Sequence, residues 1–266
     1  MRFRTEHRPA YRVDAADKLG LAMPDSRLLD AFFRKLEQRD VLSAAERAAL
    51  IAAAGPEEDF AAGTDLVLEG DRPDHSILLL DGFATRYRLL GDGQRQITAV
   101  HVAGDFVDLH SFLLKDMDHS VGALTRCHVL TFPHVHLARI TETEPHLTRL
   151  LWLMTLIDAA MHREWMVAMG RRSALEQLAH LVCELYVRLG IAGLVTNDQF
   201  IFPVTQSDLG DALGLSAVHV NRVLQQLRAG NLITWQRQLV HILDWPGLQR
   251  LAEFDPRYLH LNNEPR

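Results

Sequence analysis

Apolar residues recur along this chain at two different periods, and the changes of period divide it. From Asp25 the step is helical, with Leu28, Leu29, Phe32, Phe33 and Leu36 forming one stripe. A second helix is expected from Ser43, where Glu46 sits in the capping-box position, to the Gly55-Pro56 break. Between Asp59 and Thr141 the texture becomes short apolar runs, such as Leu66-Val67-Leu68 and Ile77-Leu78-Leu79-Leu80. Gly63, Gly70-Asp71, Asp81-Gly82, Gly91-Asp92-Gly93 and Gly104-Asp105 punctuate these runs about every ten residues. That spacing predicts an all-β roll or barrel, with Gly91-Asp92-Gly93 at a hairpin tip. A short helix is expected over Val135 to Glu142, and Pro145 stands at the first turn of a long one.

Two apolar rows run along that long helix. Leu147, Leu150, Met154, Ile157, Met161 and Trp165 recur at steps of three or four, and Leu151, Leu153 and Leu156 make a second row. One row can pack on the roll and the other on a partner, and the first is read here as a dimer seam. Gly170-Arg171-Arg172 is a candidate hinge, followed by an amphipathic helix through Leu175, Leu178, Leu181, Val182, Leu185 and Leu189. Beyond strand-like Phe200-Ile201-Phe202, Thr205 and Asp208 form a capping pair for a short helix that Gly214 breaks. Ser216 caps a second helix, with Val220, Val223, Leu224 and Leu227 inward and Gly230 as its stop. Two helices joined by a tight turn make a helix-turn-helix, whose second helix enters the major groove of DNA. Leu232 to Trp235 and Leu239 to Ile242 predict a β-hairpin wing after it.

Composition constrains this picture only mildly. The 266 residues hold two modest cores, and a net charge of −6 argues against a polycation that coats nucleic acid. A local DNA-binding face remains open, because the field that matters is that of the contacting surface. Two distant cysteines, Cys127 and Cys183, provide no disulfide framework and no cysteine-rich metal site, and read as buried thiols in a reducing cytoplasm. The N-terminal residues have no apolar core of the signal-peptide kind, and no apolar run is long enough for a membrane helix, so no membrane partner is expected. Residues 1–24, with Arg2, Arg4, Arg8 and Arg12, read as a flexible arm; residues 25–142 as helices plus roll; 143–170 as dimerisation helix and hinge; 171–266 as the DNA reader.

A glycine-punctuated roll, one long helix, a hinge and a winged helix-turn-helix, in that order, resemble the Crp/Fnr family of bacterial transcription regulators. The resemblance runs from about Asp25 to Asp244. It is most specific in Thr205-Gln206-Ser207-Asp208-Leu209, in Leu215-Ser216 with Val220, Arg222, Leu224 and Leu227, and in Gly104-Asp105-Phe106. The fold class implied is α+β: a cyclic-nucleotide-binding-like jelly roll, a dimerisation helix and a winged helix-turn-helix. The resemblance further implies a cytoplasmic homodimer on a palindromic promoter site, with double-stranded DNA and RNA polymerase as partners. Arg222 matches the arginine that reads guanine, and its paired donors suit guanine O6 and N7. Ala217, Val218 and Asn221 take the other base-facing positions. Val218 stands where the best-known members have glutamate, which implies a different half-site. Ser207, Ser216 and His219 fall where phosphates are met, at helix starts with free N–H groups; capping by Ser216 is compatible with that role.

The effector is less legible. Asp108, Leu109, His110, His119 and Ser120 form the pocket segment that the resemblance indicates. Members that bind cyclic AMP carry a glutamate and an arginine where Leu109 and His119 stand, so cyclic AMP is not expected. The N-terminal cysteine cluster of iron–sulfur members is missing as well. A small organic effector, or control by protein level, is the expectation, with no cofactor. Were a metal or haem bound, His110 and His119 would be its first candidates among many histidines. Two rivals complete the field: a cupin-like metal-dependent barrel enzyme using His101, His110 and Asp108, and a DNA-coating structural protein. The first leaves the helix-turn-helix unexplained and the second leaves Arg222 unexplained. No nucleophile motif or phosphate-binding loop supports an enzyme.

Overall fold

A computed structural model describes residues 29–266. The proposed arm, its four arginines and Leu28 lie outside the described residues. Helices α1 (Asp30–Glu37) and α2 (Ala44–Ala53) come first, and Ser43 and Glu46 close the expected capping box on α2. Seven strands follow: β1 (Glu57–Phe60), β2 (Asp65–Val67), β3 (His75–Asp81), β4 (Ala84–Leu89), β5 (Arg95–His101), then, after helix α3 (Ser111–Leu114), β6 (Ser120–Ala123) and β7 (Cys127–Pro133). They form two antiparallel sheets, β1-β7-β3 and β2-β6-β4-β5. Val67, Ile77, Leu79, Val107, Val121 and Val129 fill the space between them. The β4–β5 hairpin turns at the expected Gly91-Asp92-Gly93 tip.

Helix α4 (His134–Thr143) leads into α5 (Pro145–Arg171), a single 27-residue helix. Ser173 then caps α6 (Ala174–Ala192) with a second capping box, so the chain turns at Arg172 rather than at Gly170, which is still helical. Strand β8 (Gln199–Ile201), helices α7 (Gln206–Leu213) and α8 (Ala217–Ala229), strands β9 (Ile233–Gln236) and β10 (Leu239–Ile242) and helix α9 (Trp245–Ala252) complete the order. The wing is the three-stranded sheet β8-β10-β9. A short 3₁₀ turn, Pro256–Leu259, carries the C-terminal segment back to α1, where Arg39 donates to the carbonyl of Leu259 and Asn263 to that of Glu37.

The expected seam is corrected here. Leu147 and Leu150 are buried against α1, α2 and α4, and Trp165 lies under α6, donating from its indole to Glu184. Ile157 is buried, and Met154, Ile157 and Met161 face a cavity on the roll side. Leu147, Leu150, Ile157 and Trp165 are thus already covered within one chain, while Met154 and Met161 are half-buried at the cavity. The outward row is Trp152, Leu156, Met166, Val167 and Met169, with Trp152 64% and Leu156 51% exposed.

The roll and the winged helix-turn-helix share a core. Phe83, Tyr87, Ile97 and Val100 of the roll pack in one cluster with α6, α7 and α8. A polar joint reinforces it at Asp105. Its carboxylate accepts from Lys35 of α1 at 2.6 Å, from Arg188 of α6 at 2.7 Å and from the Val102 amide at 2.9 Å. Gly104 makes this joint possible. It adopts φ +83°, and a Cβ there would stand 2.7 Å from the Ala31 backbone of α1.

Candidate nucleic-acid interface and sensory cavity

The reader is built locally. The Thr205 hydroxyl accepts from the Asp208 amide at 3.1 Å and the Asp208 carboxylate accepts from the Thr205 amide at 3.0 Å, fixing the start of α7. Gly214 ends α7 in the left-handed region, and the Ser216 hydroxyl accepts from the His219 amide to start α8. Gly210 sets how closely the turn approaches α7: a Cβ there would lie 2.5 Å from the Leu215 carbonyl oxygen. Val220, Val223, Leu224 and Leu227 are buried on the inner face of α8. Ala217, Val218, Asn221 and Arg222 are all exposed on the outer face, and Val218 is 83% exposed. An apolar side chain held in water at the start of a reading helix suits contact with a thymine methyl. Ser207 is exposed at the start of α7, Ser216 at that of α8, and His219 is half-buried beside them. Arg237, exposed at the wing tip with φ +54°, is a further cation on the reader that the motif reading passed over.

Asp208 has a second role. Arg95, at the start of β5, donates to Asp208 at 2.6 Å and to Asp211 at 2.8 Å, so the cap of α7 is tied to the β4–β5 hairpin of the roll. Burial alone would raise the Asp208 pKa, but the hydrogen bonds from Thr205 and Arg95 outweigh it and lower the value.

Between the roll and α5 lies a cavity of about 610 Å³. Leu109, His110 and His119 line it, as expected. Asp108 and Ser120 do not, which corrects that part of the pocket assignment. Asp108 turns into the roll to accept from the Ile77 amide at 2.6 Å, and burial pushes its carboxyl up to about 7. The Ser120 hydroxyl instead accepts from the Glu69 amide. The polar wall comes from residues that no local motif marked. Arg86 of β4, its side chain only 7% exposed, donates to Asp158 of α5 at 2.9 Å and to His162 Nε2 at 2.9 Å. Burial, and then the Arg86 charge, push His101 down to about 3 and His110 to about 4, and lower His119 by the same two causes. These imidazoles are neutral at pH 7.

A strand-walled cavity closed by a long helix, joined to an exposed winged helix-turn-helix, is the architecture of a DNA-binding regulator. Comparison with known proteins agrees. Residues 57–144 match the model of a cyclic nucleotide-binding domain and residues 176–251 that of a Crp-like helix-turn-helix domain. The nitrogen fixation regulation protein FixK of Bradyrhizobium diazoefficiens is 29% identical over 198 residues, 73% of this chain and 80% of the relative. The transcriptional activator protein FnrL of Cereibacter sphaeroides is 27% identical over 200 residues, 74% of this chain and 80% of the relative. The solved structure of FixK2 from Bradyrhizobium japonicum has the same fold, with a TM-score of 0.68 at 24% identity over 74% of this chain and 96% of that one.

The chain carries, in the same order, the two domains of the Crp/Fnr-type DNA-binding transcription regulators. Its relatives are regulators, and nothing among them supports the cupin-like enzyme using His101 and His110. No helix among the described residues is long and apolar enough to cross a membrane.

Proposed function

We propose that the chain acts as a homodimeric transcription activator, with Arg222 reading a guanine in each half of a pseudo-palindromic operator. Asn221, Ala217 and Val218 read neighbouring base pairs; Ser207, Ser216 and His219 meet phosphates. RNA polymerase is the partner through which the bound dimer acts, a reading supported by the activator names of the relatives. The dimer forms along the outward row of α5 centred on Trp152 and Leu156, and a small molecule in the roll–α5 cavity sets how the two readers are held. Cyclic AMP fits this chamber poorly. His119 is neutral, Leu109 has no polar group, and Arg86 is already neutralised by Asp158.

The observation that carries the reading is the exposed quartet Ala217, Val218, Asn221 and Arg222 on a helix whose opposite face is buried. Genome-wide mapping of bound sites supplies the operator, and a titration against that fragment tests the assignment. Arg222→Ala should lose ~1–3 kcal/mol of binding to the cognate sequence and discriminate less at one symmetric base pair. Cognate binding equal to wild type overturns the role given to Arg222.

A further inference from the structure

One cluster at the cavity wall has no part in DNA reading. His110, at the N-terminal edge of α3, and Asp118 and His119, just before β6, bring one ligand-type atom each to within 4.8 Å of one another. The two imidazole rings are 4.9 Å apart. His119 Nδ1 is hydrogen-bonded to the Asp118 carboxylate at 2.5 Å, which leaves its Nε2 as a bare lone pair. That Nε2 is buried without a partner, and so is Nε2 of His110. Two buried ring nitrogens that face no hydrogen-bond partner are a costly arrangement unless something fills the gap.

A proton is a poor filler. A proton bridges two ring nitrogens only in a direct hydrogen bond, and neither Nε2 makes one. A metal ion is better matched, because it accepts both lone pairs at once and brings Asp118 in as a third, anionic ligand. We infer that His110, His119 and Asp118 form a binding site for a divalent transition-metal ion of the zinc class. Bonds of ~2.1 Å put two nitrogens on one ion roughly 3–3.5 Å apart, so rotation of the side chains closes what remains of the gap. Asp118, 73% exposed at the rim, is free to swing inward.

The ion would clasp the two ends of the 110–119 segment that borders the cavity. Three protein ligands also leave a coordination position for water or for a carboxylate-bearing small molecule in the chamber. That consequence touches the sensory reading, but the site itself does not rest on it and is tested without DNA.

The experiment uses the full chain, with any affinity tag removed, stripped by chelator and titrated with cobalt(II) under visible absorption, then with zinc in competition. One equivalent per chain should develop ligand-field bands, and zinc should abolish them. His110→Ala/His119→Ala should weaken uptake by more than about tenfold, and so should Asp118→Asn, whose exposed position spares the fold. A His75→Ala/His128→Ala control, at histidines remote from the cluster, should retain the bands. Uptake by wild type no greater than by Asp118→Asn, or bands lost only in the control, overturns the site.

Discussion

Asp105→Asn is the most informative single change, because it keeps shape and removes only charge. In the native joint, Asp105 stands between Lys35, whose side chain is 4% exposed, and Arg188, at 7%. Burial alone would raise the Asp105 pKa, but the charges of Lys35 and then Arg188 hold it well below the usual carboxylate range. Burial lowers Lys35 to about 8 even with Asp105 in place. Breaking a buried ion pair costs ~3–5 kcal/mol because a charge is left uncompensated. Two features place this case near the lower end. Arg188 keeps Glu184 at 2.9 Å and the Val100 carbonyl at 2.8 Å, and Lys35 can shed its proton. A loss of ~3 kcal/mol corresponds to a fall of roughly 6–12 °C in melting temperature for a chain of this size. The deficit should be smaller at pH 9, where Lys35 is neutral, than at pH 6. Lys35→Met on the Asp105→Asn background should recover part of it. Melting by circular dichroism at both pH values measures all of this. A melt within about 2 °C of wild type at pH 6, equivalent to under about 1 kcal/mol, refutes the joint as described.

Other outcomes follow from the same geometry. Leu156→Glu and Trp152→Glu, on the outward row of α5, should convert a dimer into a monomer in sedimentation while leaving the fold intact. Leu147→Ala should instead cost ~2–5 kcal/mol of stability and leave the assembly state unchanged; the opposite pattern would restore the inner seam. Gly104→Ala should abolish soluble expression or lower melting steeply, since both its φ and the Ala31 backbone oppose a Cβ. His146 sits between Asp40 and Glu46, and the hydrogen bond to Asp40 chiefly raises its pKa. A raised histidine contributes stability in full below about pH 6.5 and loses it as pH rises through the folded value. His146→Gln should therefore melt below wild type at pH 6 and converge with it in alkali; a constant gap across that range contradicts the linkage.

The unequal legibility of the two halves has a physical origin. The reader is specified by contacts between near neighbours: Thr205 with Asp208, Ser216 with His219, and the four inward residues of α8. Each lies within one or two helical turns, so spacing alone reveals it. The sensory chamber is assembled from Arg86 on β4, His110 and His119 around α3, and Asp158 and His162 on α5. The Arg86–Asp158 bond closes 72 residues of chain, and no periodicity announces such a pair. Helix α5 fails for a related reason. Its first half is apolar on most sides, and the fold, not the helix, selects what is covered: of the second row, Leu151 is buried, Leu153 half-buried and Leu156 exposed. The stronger stripe, Leu147 to Trp165, lies against this chain's own cavity and core, and the row left outside begins with Trp152 and Leu156. Met154, Ile157 and Met161 line the chamber and make α5 a common wall: one face borders the cavity, and the other is the face proposed for a second copy. A shift of α5 by a ligand therefore displaces the proposed dimer face directly. Through Trp165, whose indole donates to Glu184, it also reaches α6, on which the reading helix packs.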